Sequence, residues 1–299
     1  MKGLVLSITA GQGHNQTAMV ISKRFNECGV ECKYLDVYKF INPILSDSVN
    51  KIYLMSTKAI PKIYGGVYRM CEKRGVQSGA GIHGLNRITN SVLSRSLIKL
   101  IQKEKPDFII CTHIFAALLV TYISSIERLN AKTIGVITDF TIHPYWEDSL
   151  LDYYIIANER LTIQGIKKGF PENKFLPLGI PIGTKFSRKI EKSKAKEILN
   201  LHSKHTILVM SGSMGFGAVY KEIEELDKLD MDFEIVSVSG NNKKLKTKID
   251  SMETRKKIYS YGYINNVDVF MDACDCIITK PGGLTTSEAL AKQIPMLIN

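Results

Sequence analysis

Two stretches of this sequence gather residue types able to do chemistry. The first lies near the end of the chain: Thr279-Lys280-Pro281-Gly282-Gly283-Leu284-Thr285-Thr286-Ser287-Glu288-Ala289. Just before it, Cys276-Ile277-Ile278 reads as a buried parallel strand. Pro281-Gly282-Gly283 ends that strand and lets backbone pass close to a ligand. Thr285, Thr286 and Ser287 offer N-cap side chains, and Glu288-Ala289-Leu290-Ala291 starts a helix. Strand, glycine turn and helix N-terminus together bind phosphate, because unbonded N–H groups and the positive end of the helix dipole both face the anion. A tight βα turn that holds nothing has the same pattern, so both readings stand at this point.

The second stretch is Ala10-Gly11-Gln12-Gly13-His14-Asn15-Gln16, between an apolar strand at residues 4–9 and a helix expected over about 17–28. No glycine follows three residues after Gly13, which excludes the dinucleotide fingerprint, and no Gly-Lys-Ser/Thr follows, which excludes a P-loop. His14 stands out. An imidazole titrating near neutrality, at a helix entrance beside two glycines, suits a catalytic or ligand role. A helix cap or a surface histidine fits the same position. Further on, Thr138-Asp139-Phe140-Thr141-Ile142-His143-Pro144-Tyr145-Trp146 follows a strand. Asp139, His143 and the only Trp therefore sit at a strand's carboxyl end, where open α/β sheets bind ligands.

The elements that must position these residues alternate between strand and helix. Further strands are expected at 31–37, 106–113, 131–138 and 152–157, with a helix over 114–126. Residues 175–182 are extended, with two prolines that exclude helix. The highly charged run 185–196 marks a domain boundary, giving an N-terminal domain at 1–183 and a C-terminal domain at 184–299. In the second domain, strands are expected at 205–210, 233–238, 258–264 and 276–278. Their following turns, at 211–217, 240–242, 262–266 and 281–288, would lie along one edge of a parallel sheet and outline a nucleotide site. The turns at 11–14 and 139–146 would face it from the other side of a cleft.

Composition limits the alternatives. The 299 residues are 44% hydrophobic and 23% charged, as in a soluble globular protein, and no apolar run approaches the roughly 20 residues that span a bilayer. The first strand is too short for a signal peptide, so a cytoplasmic protein is expected, with its six cysteines reduced. Cys28/Cys32 and Cys274/Cys276 lack partner pairs at metal-finger spacing, so no zinc site is read. Asp230-Met231-Asp232 falls in a helix-to-strand link and is discounted as a metal pair. The net charge of +11 calls for an anionic partner. Most of that excess lies at 51–105, where eleven basic residues face only Glu72 and Glu104 and are interleaved with Ile60, Ile63, Tyr64, Val67, Tyr68 and Met70. A basic, aromatic helical stretch suits an anionic membrane surface; a solvated helix pair over an ordinary core reads alike. Residues 75–84, rich in glycine, read as a loop.

Together these motifs resemble the monogalactosyldiacylglycerol synthase and processive diacylglycerol glucosyltransferase family, over essentially the whole chain. The N-terminal markers are Gly11-Gln12-Gly13-His14, Thr138-Asp139-Phe140 with His143 and Trp146, and Gly179-Ile180-Pro181. The C-terminal markers are Ser211-Gly212-Ser213 with Gly215, Gly262-Tyr263, and the highly specific run from Thr279 to Ala289. The resemblance implies the GT-B fold: α/β, two Rossmann-like domains with a cleft between them. It implies a UDP-sugar-dependent hexosyltransferase acting on diacylglycerol, peripheral on the inner face of the cell membrane, with no cofactor beyond its co-substrate and no nucleic-acid partner.

The family's site residues carry over position by position. Gly282, Gly283, Thr285, Thr286 and Ser287 would hold the UDP diphosphate with Gly212, Ser213 and Gly215. Glu288 would accept hydrogen bonds from the ribose hydroxyls, and backbone at Tyr263 and Ile264 would read uracil. His14 and Asp139 would be catalytic, with Gly11, Gly13, His143 and Trp146 on the acceptor side. The implied reaction is inverting and needs no metal: a base near neutrality suits His14, and helix N-termini stabilise the leaving UDP. One departure is visible. The family's next loop, Pro-Gly-Gln-Glu, and a further helix have no counterpart before Asn299, so the C-terminal domain reads as incomplete. Other readings kept open are a polyprenyl-linked acceptor, a UDP-sugar 2-epimerase, and a nucleotide-sensing or nucleic-acid-binding protein.

Overall fold

The computed structural model describes residues 1–9, 12–41, 94–202, 205–215 and 217–299. Gly11, Cys71, Phe216, the glycine-rich run 75–84 and most of the basic segment 51–105 lie outside the described residues. The chain divides into two compact units, Met1–Pro181 and Ile182–Asn299.

Unit 1 holds a six-stranded sheet in the order β2-β1-β3-β4-β5-β6. Its strands are β1 (Lys2–Ser7), β2 (Glu31–Asp36), β3 (Phe108–Cys111), β4 (Lys132–Val136), β5 (Tyr153–Ile155) and β6 (Phe175–Leu176). Every recorded pairing is parallel. Alternation along the strands builds two cores. Leu4, Leu6, Ile109 and Cys111 face one, and Val5, Phe108 and Ile110 face the other. Both faces are thus buried, as a parallel sheet requires. The extended stretch expected over 175–182 pairs only at Phe175–Leu176, because Pro177 and Pro181 have no N–H to give a ladder. Residues 94–104 are helical.

Unit 2 holds a five-stranded parallel sheet in the order β11-β10-β7-β8-β9. Its strands are β7 (Thr206–Met210), β8 (Glu234–Val238), β9 (Ile258–Tyr261), β10 (Cys276–Thr279) and β11 (Met296–Ile298). Again the strands divide their side chains between two cores: Leu208, Met210, Val236 and Val238 on one face, Val209 and Ile235 on the other. A buried ion pair ties this unit together. Lys292 and Asp272 have side chains only 1% and 0% exposed, with Nζ donating to Oδ2 at 2.6 Å. The same ammonium donates to the Arg188 carbonyl, and the Ile190 N–H donates to the same Oδ2 at 3.0 Å. The far end of the helix Gly283–Lys292 is therefore fastened to the helix Val267–Ala273 and to the segment that enters the unit.

Candidate active site

Each sheet reverses its strand order once, and the chemistry gathers at these reversals. In unit 1 the reversal falls between β1 and β3; in unit 2, between β7 and β10. Turns leaving two such strands diverge and open a crevice at their carboxyl ends.

In unit 1 the helix after β1 spans Gln12–Glu27, starting five residues before the expected position, so Gly13 and His14 belong to its first turn. Three strand ends then close on His14. Its Nδ1 lies 3.0 Å from the Thr112 carbonyl beyond β3, and 2.8 Å from the Thr138 hydroxyl beyond β4. The Thr112 hydroxyl donates to the His14 carbonyl at 3.0 Å. A carbonyl only accepts, so Nδ1 carries the proton and Nε2 the lone pair. Burial pulls the imidazole below its ordinary pKa, partly offset by the charge of Asp139 and by the Thr112 carbonyl. His14 is thus held neutral near pH 7 in one tautomer, with a free lone pair: the description of a general base.

Asp139 is exposed and follows Thr138 directly. His143 is half-buried and caps the 3₁₀ turn Pro144–Asp148, its Nδ1 accepting the Tyr145 N–H at 3.2 Å. Burial lowers its pKa too, with Asp139 acting in the opposite direction. Trp146 is placed differently from its expected lining role. It is 5% exposed and packs in the core against Gly135 and edge-on to Tyr154, so it supports this turn from beneath.

Sequence reading passed over His113. It is 6% exposed, and its ring meets that of His14 edge-to-face at 4.6 Å. A chain of rings continues through Phe115 and Tyr145 to His143. The available signal was its place at the carboxyl end of a central strand.

In unit 2 the site is mostly backbone. The helix after β10 begins at Gly283, with Gly282 as N-cap and no side-chain cap. Thr285, Thr286 and Ser287, expected as caps, instead lie inside the helix; the Ser287 hydroxyl donates back to the Gly283 carbonyl at 2.7 Å. The first amides of this helix therefore have neither an intrahelical partner nor a side-chain cap, which leaves them to an anion. Opposite stands the turn after β7. Gly212 and Gly215 have φ of 67° and 59°, backbone that favours glycine. This turn is fastened to the one after β8: the Asn241 N–H donates to the Ser213 carbonyl at 2.8 Å, and Asn242 Nδ2 to the Gly215 carbonyl at 3.0 Å. The approach is too close for side chains. A Cβ on Gly215 would lie 2.1 Å from the Ser239 carbonyl oxygen, and one on Gly240 would lie 2.4 Å from that of Ser213.

Glu288 is half-buried in the second turn of the helix. Burial pushes its pKa up to about 7, against the pull of the Lys185 ammonium. Tyr263 and Ile264 follow β9 at the sheet's edge, Tyr263 being 49% exposed. Lys280, also passed over in the sequence, runs beside Gly212 at the mouth of this turn and has no ion-pair partner among the described residues. Among the described residues, no group of three or more His, Cys, Asp or Glu side chains could hold a metal ion.

Two parallel α/β sheets, each with one strand reversal, are the architecture of the two-Rossmann-unit glycosyltransferases. A family model for monogalactosyldiacylglycerol (MGDG) synthase matches residues 14–182, and one for the glycosyltransferase family 28 C-terminal domain matches residues 206–298. The chain belongs to the MGDG synthase family. A processive diacylglycerol beta-glucosyltransferase of Bacillus cereus is 27% identical, over 99% of this chain and 76% of that protein. Among solved structures, HepE from Anabaena in complex with UDP superposes with a TM-score of 0.59 at 13% identity, covering 100% of this chain and 80% of that one. MurG from Acinetobacter baumannii gives 0.60 at 16% identity, over 99% and 78%. These structural likenesses speak to the fold; membership of the family favours sugar transfer over the epimerase and polyprenyl readings.

Proposed function

We propose that the protein transfers a hexose from a UDP-sugar to the hydroxyl of diacylglycerol, inverting the anomeric centre, with His14 as the general base. The observation that carries this reading is the geometry of His14: Nδ1 committed to the Thr112 carbonyl, Nε2 left with its lone pair, and a pKa lowered by burial. The lipid acceptor is argued from family membership and from the name of the Bacillus cereus relative.

In this mechanism Nε2 takes the proton of the acceptor hydroxyl as its oxygen attacks the anomeric carbon from the face opposite UDP. Asp139, whose charge favours the protonated imidazole, steadies the imidazolium that forms. The departing diphosphate gathers negative charge. The uncapped amides at Gly283, Leu284 and Thr285 receive it, with the backbone of Gly212, Ser213 and Gly215 and without a metal. Glu288 accepts from the ribose hydroxyls, and backbone at Tyr263 and Ile264 reads uracil. Gly13 and His143 belong to the acceptor side, as does Gly11, which lies outside the described residues. The basic residues of 51–105 would hold an anionic membrane surface, each contributing about 1 kcal/mol near the lipid. Among the described residues no helix is long and apolar enough to cross a membrane.

The test is a donor panel of UDP-glucose and UDP-galactose, with diacylglycerol vesicles as acceptor. Glycosyl-diacylglycerol should form with at least one donor. Transfer only to a polyprenyl diphosphate sugar, or epimer formation without acceptor, would replace this reading. Vesicle sedimentation checks the membrane contact: binding should be stronger on anionic than on neutral lipid and should fall with salt.

A further inference from the structure

We infer that His113 is a positioning residue for His14: its ring forms the wall that holds the base in its working orientation, while the Thr112 carbonyl sets the tautomer. The inference rests on the reading of His14 as the base. His113 does two jobs at once. As N-cap of the helix Ile114–Ile126 it accepts the Phe115 N–H on Nδ1 at 3.2 Å. Ser, Thr, Asp or Asn would cap at least as well, so the cap alone gives no reason for a histidine. The ring gives one. It crosses the strand reversal to meet the His14 ring at 4.6 Å, with planes at 78°.

The pair can share one proton at most, because two imidazolium rings at this separation would repel strongly. The geometry decides where that proton goes. His113 has its Nδ1 lone pair committed to a backbone N–H, so a proton there would break the cap. It is also the more buried of the two, with His14 and His143 both facing it. His14 keeps Nε2 free. The proton abstracted from an acceptor therefore stays on His14, and His113 remains a neutral ring beside it. Among the described residues, the groups facing His14 are His113 and the Thr112 carbonyl beyond β3 and Thr138 and Asp139 beyond β4; His143, the N-cap of the 3₁₀ turn, faces His113.

Two substitutions separate the cap from the wall. His113→Asn keeps a side-chain acceptor for the Phe115 N–H and removes the ring. We expect kcat to fall about 10- to 100-fold, the cost of a misplaced catalytic group, with KM for the UDP-sugar unchanged. The acid limb of its pH–rate profile should move up toward the ordinary 6.5 of a less shielded His14. His113→Phe keeps a ring and removes the cap, so it should lower Tm while the acid limb stays low. An acid limb that stays in place in His113→Asn, whether or not kcat falls, would overturn the inference. His14→Ala is run in parallel. If it turns over like the wild type, the base reading itself fails; if it is inactive while His113→Asn behaves as wild type, only the role of His113 fails.

Discussion

The two strand reversals share a topology and differ in what fills them. At the β1/β3 reversal, side chains do the work: His14, His113, Thr112 and Thr138 are packed ring to ring and hydroxyl to carbonyl, largely out of water. At the β7/β10 reversal the side chains withdraw. Gly212, Gly215, Gly282 and Gly283 present backbone, and the helix start carries no cap. The difference fits the chemistry proposed for each end. A base must be one atom with a controlled proton, which needs a buried ring fixed by partners. A diphosphate is large, charged and flexible, and is met best by several fixed N–H dipoles.

The largest expected effect breaks this division at unit 1. His14→Ala should lower turnover by roughly 10²–10⁴-fold and leave UDP affinity, measured by calorimetry, unchanged. Collapse of UDP binding with turnover spared would make His14 a donor ligand and Asp139 the better base. Unit 2 should instead be vulnerable through its framework. Lys292→Met leaves Asp272 charged, buried and unpaired, at a cost of about 3–5 kcal/mol. Urea unfolding of the full chain should show that loss, and the double variant Lys292→Met/Asp272→Leu should recover most of it. A single variant as stable as the wild type would mean the pair is incidental to the helix Gly283–Lys292.

A smaller effect tests the one side chain assigned to the donor. Glu288→Ala should weaken UDP binding by about 1.5–3 kcal/mol, the range for a hydrogen bond to a charged group. Wild-type affinity in the variant would remove Glu288 from the site.

A further effect separates the two ends by sign. The folded pKa of His14 lies below its ordinary 6.5. The unfolded chain therefore binds more protons below that pH, and the stability His14 contributes is full above 6.5 and lost on acidification. Glu288 titrates at about 7 when folded, above its ordinary 4.5. Its contribution is full below 4.5 and is lost as pH rises through 7. Relative to Glu288→Gln, the wild type should lose stability as pH climbs through this window; relative to His14→Gln, it should lose stability as pH falls below 6.5. Unfolding curves across pH check both, and slopes of the same sign would break the contrast.

Much of this was readable in the chain. The apolar runs place the central strands β1, β3, β7, β8 and β10, because a parallel strand buried on both faces cannot hide its pattern. The helix over 114–126 and the start near Val219 also came through. What did not was of two kinds. The helix at Gly283 was expected later because Thr285, Thr286 and Ser287 look like caps. The helix instead starts at Gly283 with Gly282 as N-cap and no side-chain cap. Contacts across the sheet were also invisible. His113 meets His14 only because β1 and β3 are neighbours, and Lys292 meets Asp272 only because two helices converge. Nothing local marks either residue as part of a pair.

The fastening of the β7 and β8 turns carries a consequence for inheritance. Gly215 lies against Ser239 and Gly240 against Ser213, each too closely for any side chain to enter. A genetic exchange that brought in either loop from a relative, without the other, would seat it against a partner shaped for different backbone. The two loops therefore form one module for recombination, though 24 or more positions separate them. Directed evolution of donor choice should shuffle residues 211–215 and 239–242 as a single cassette.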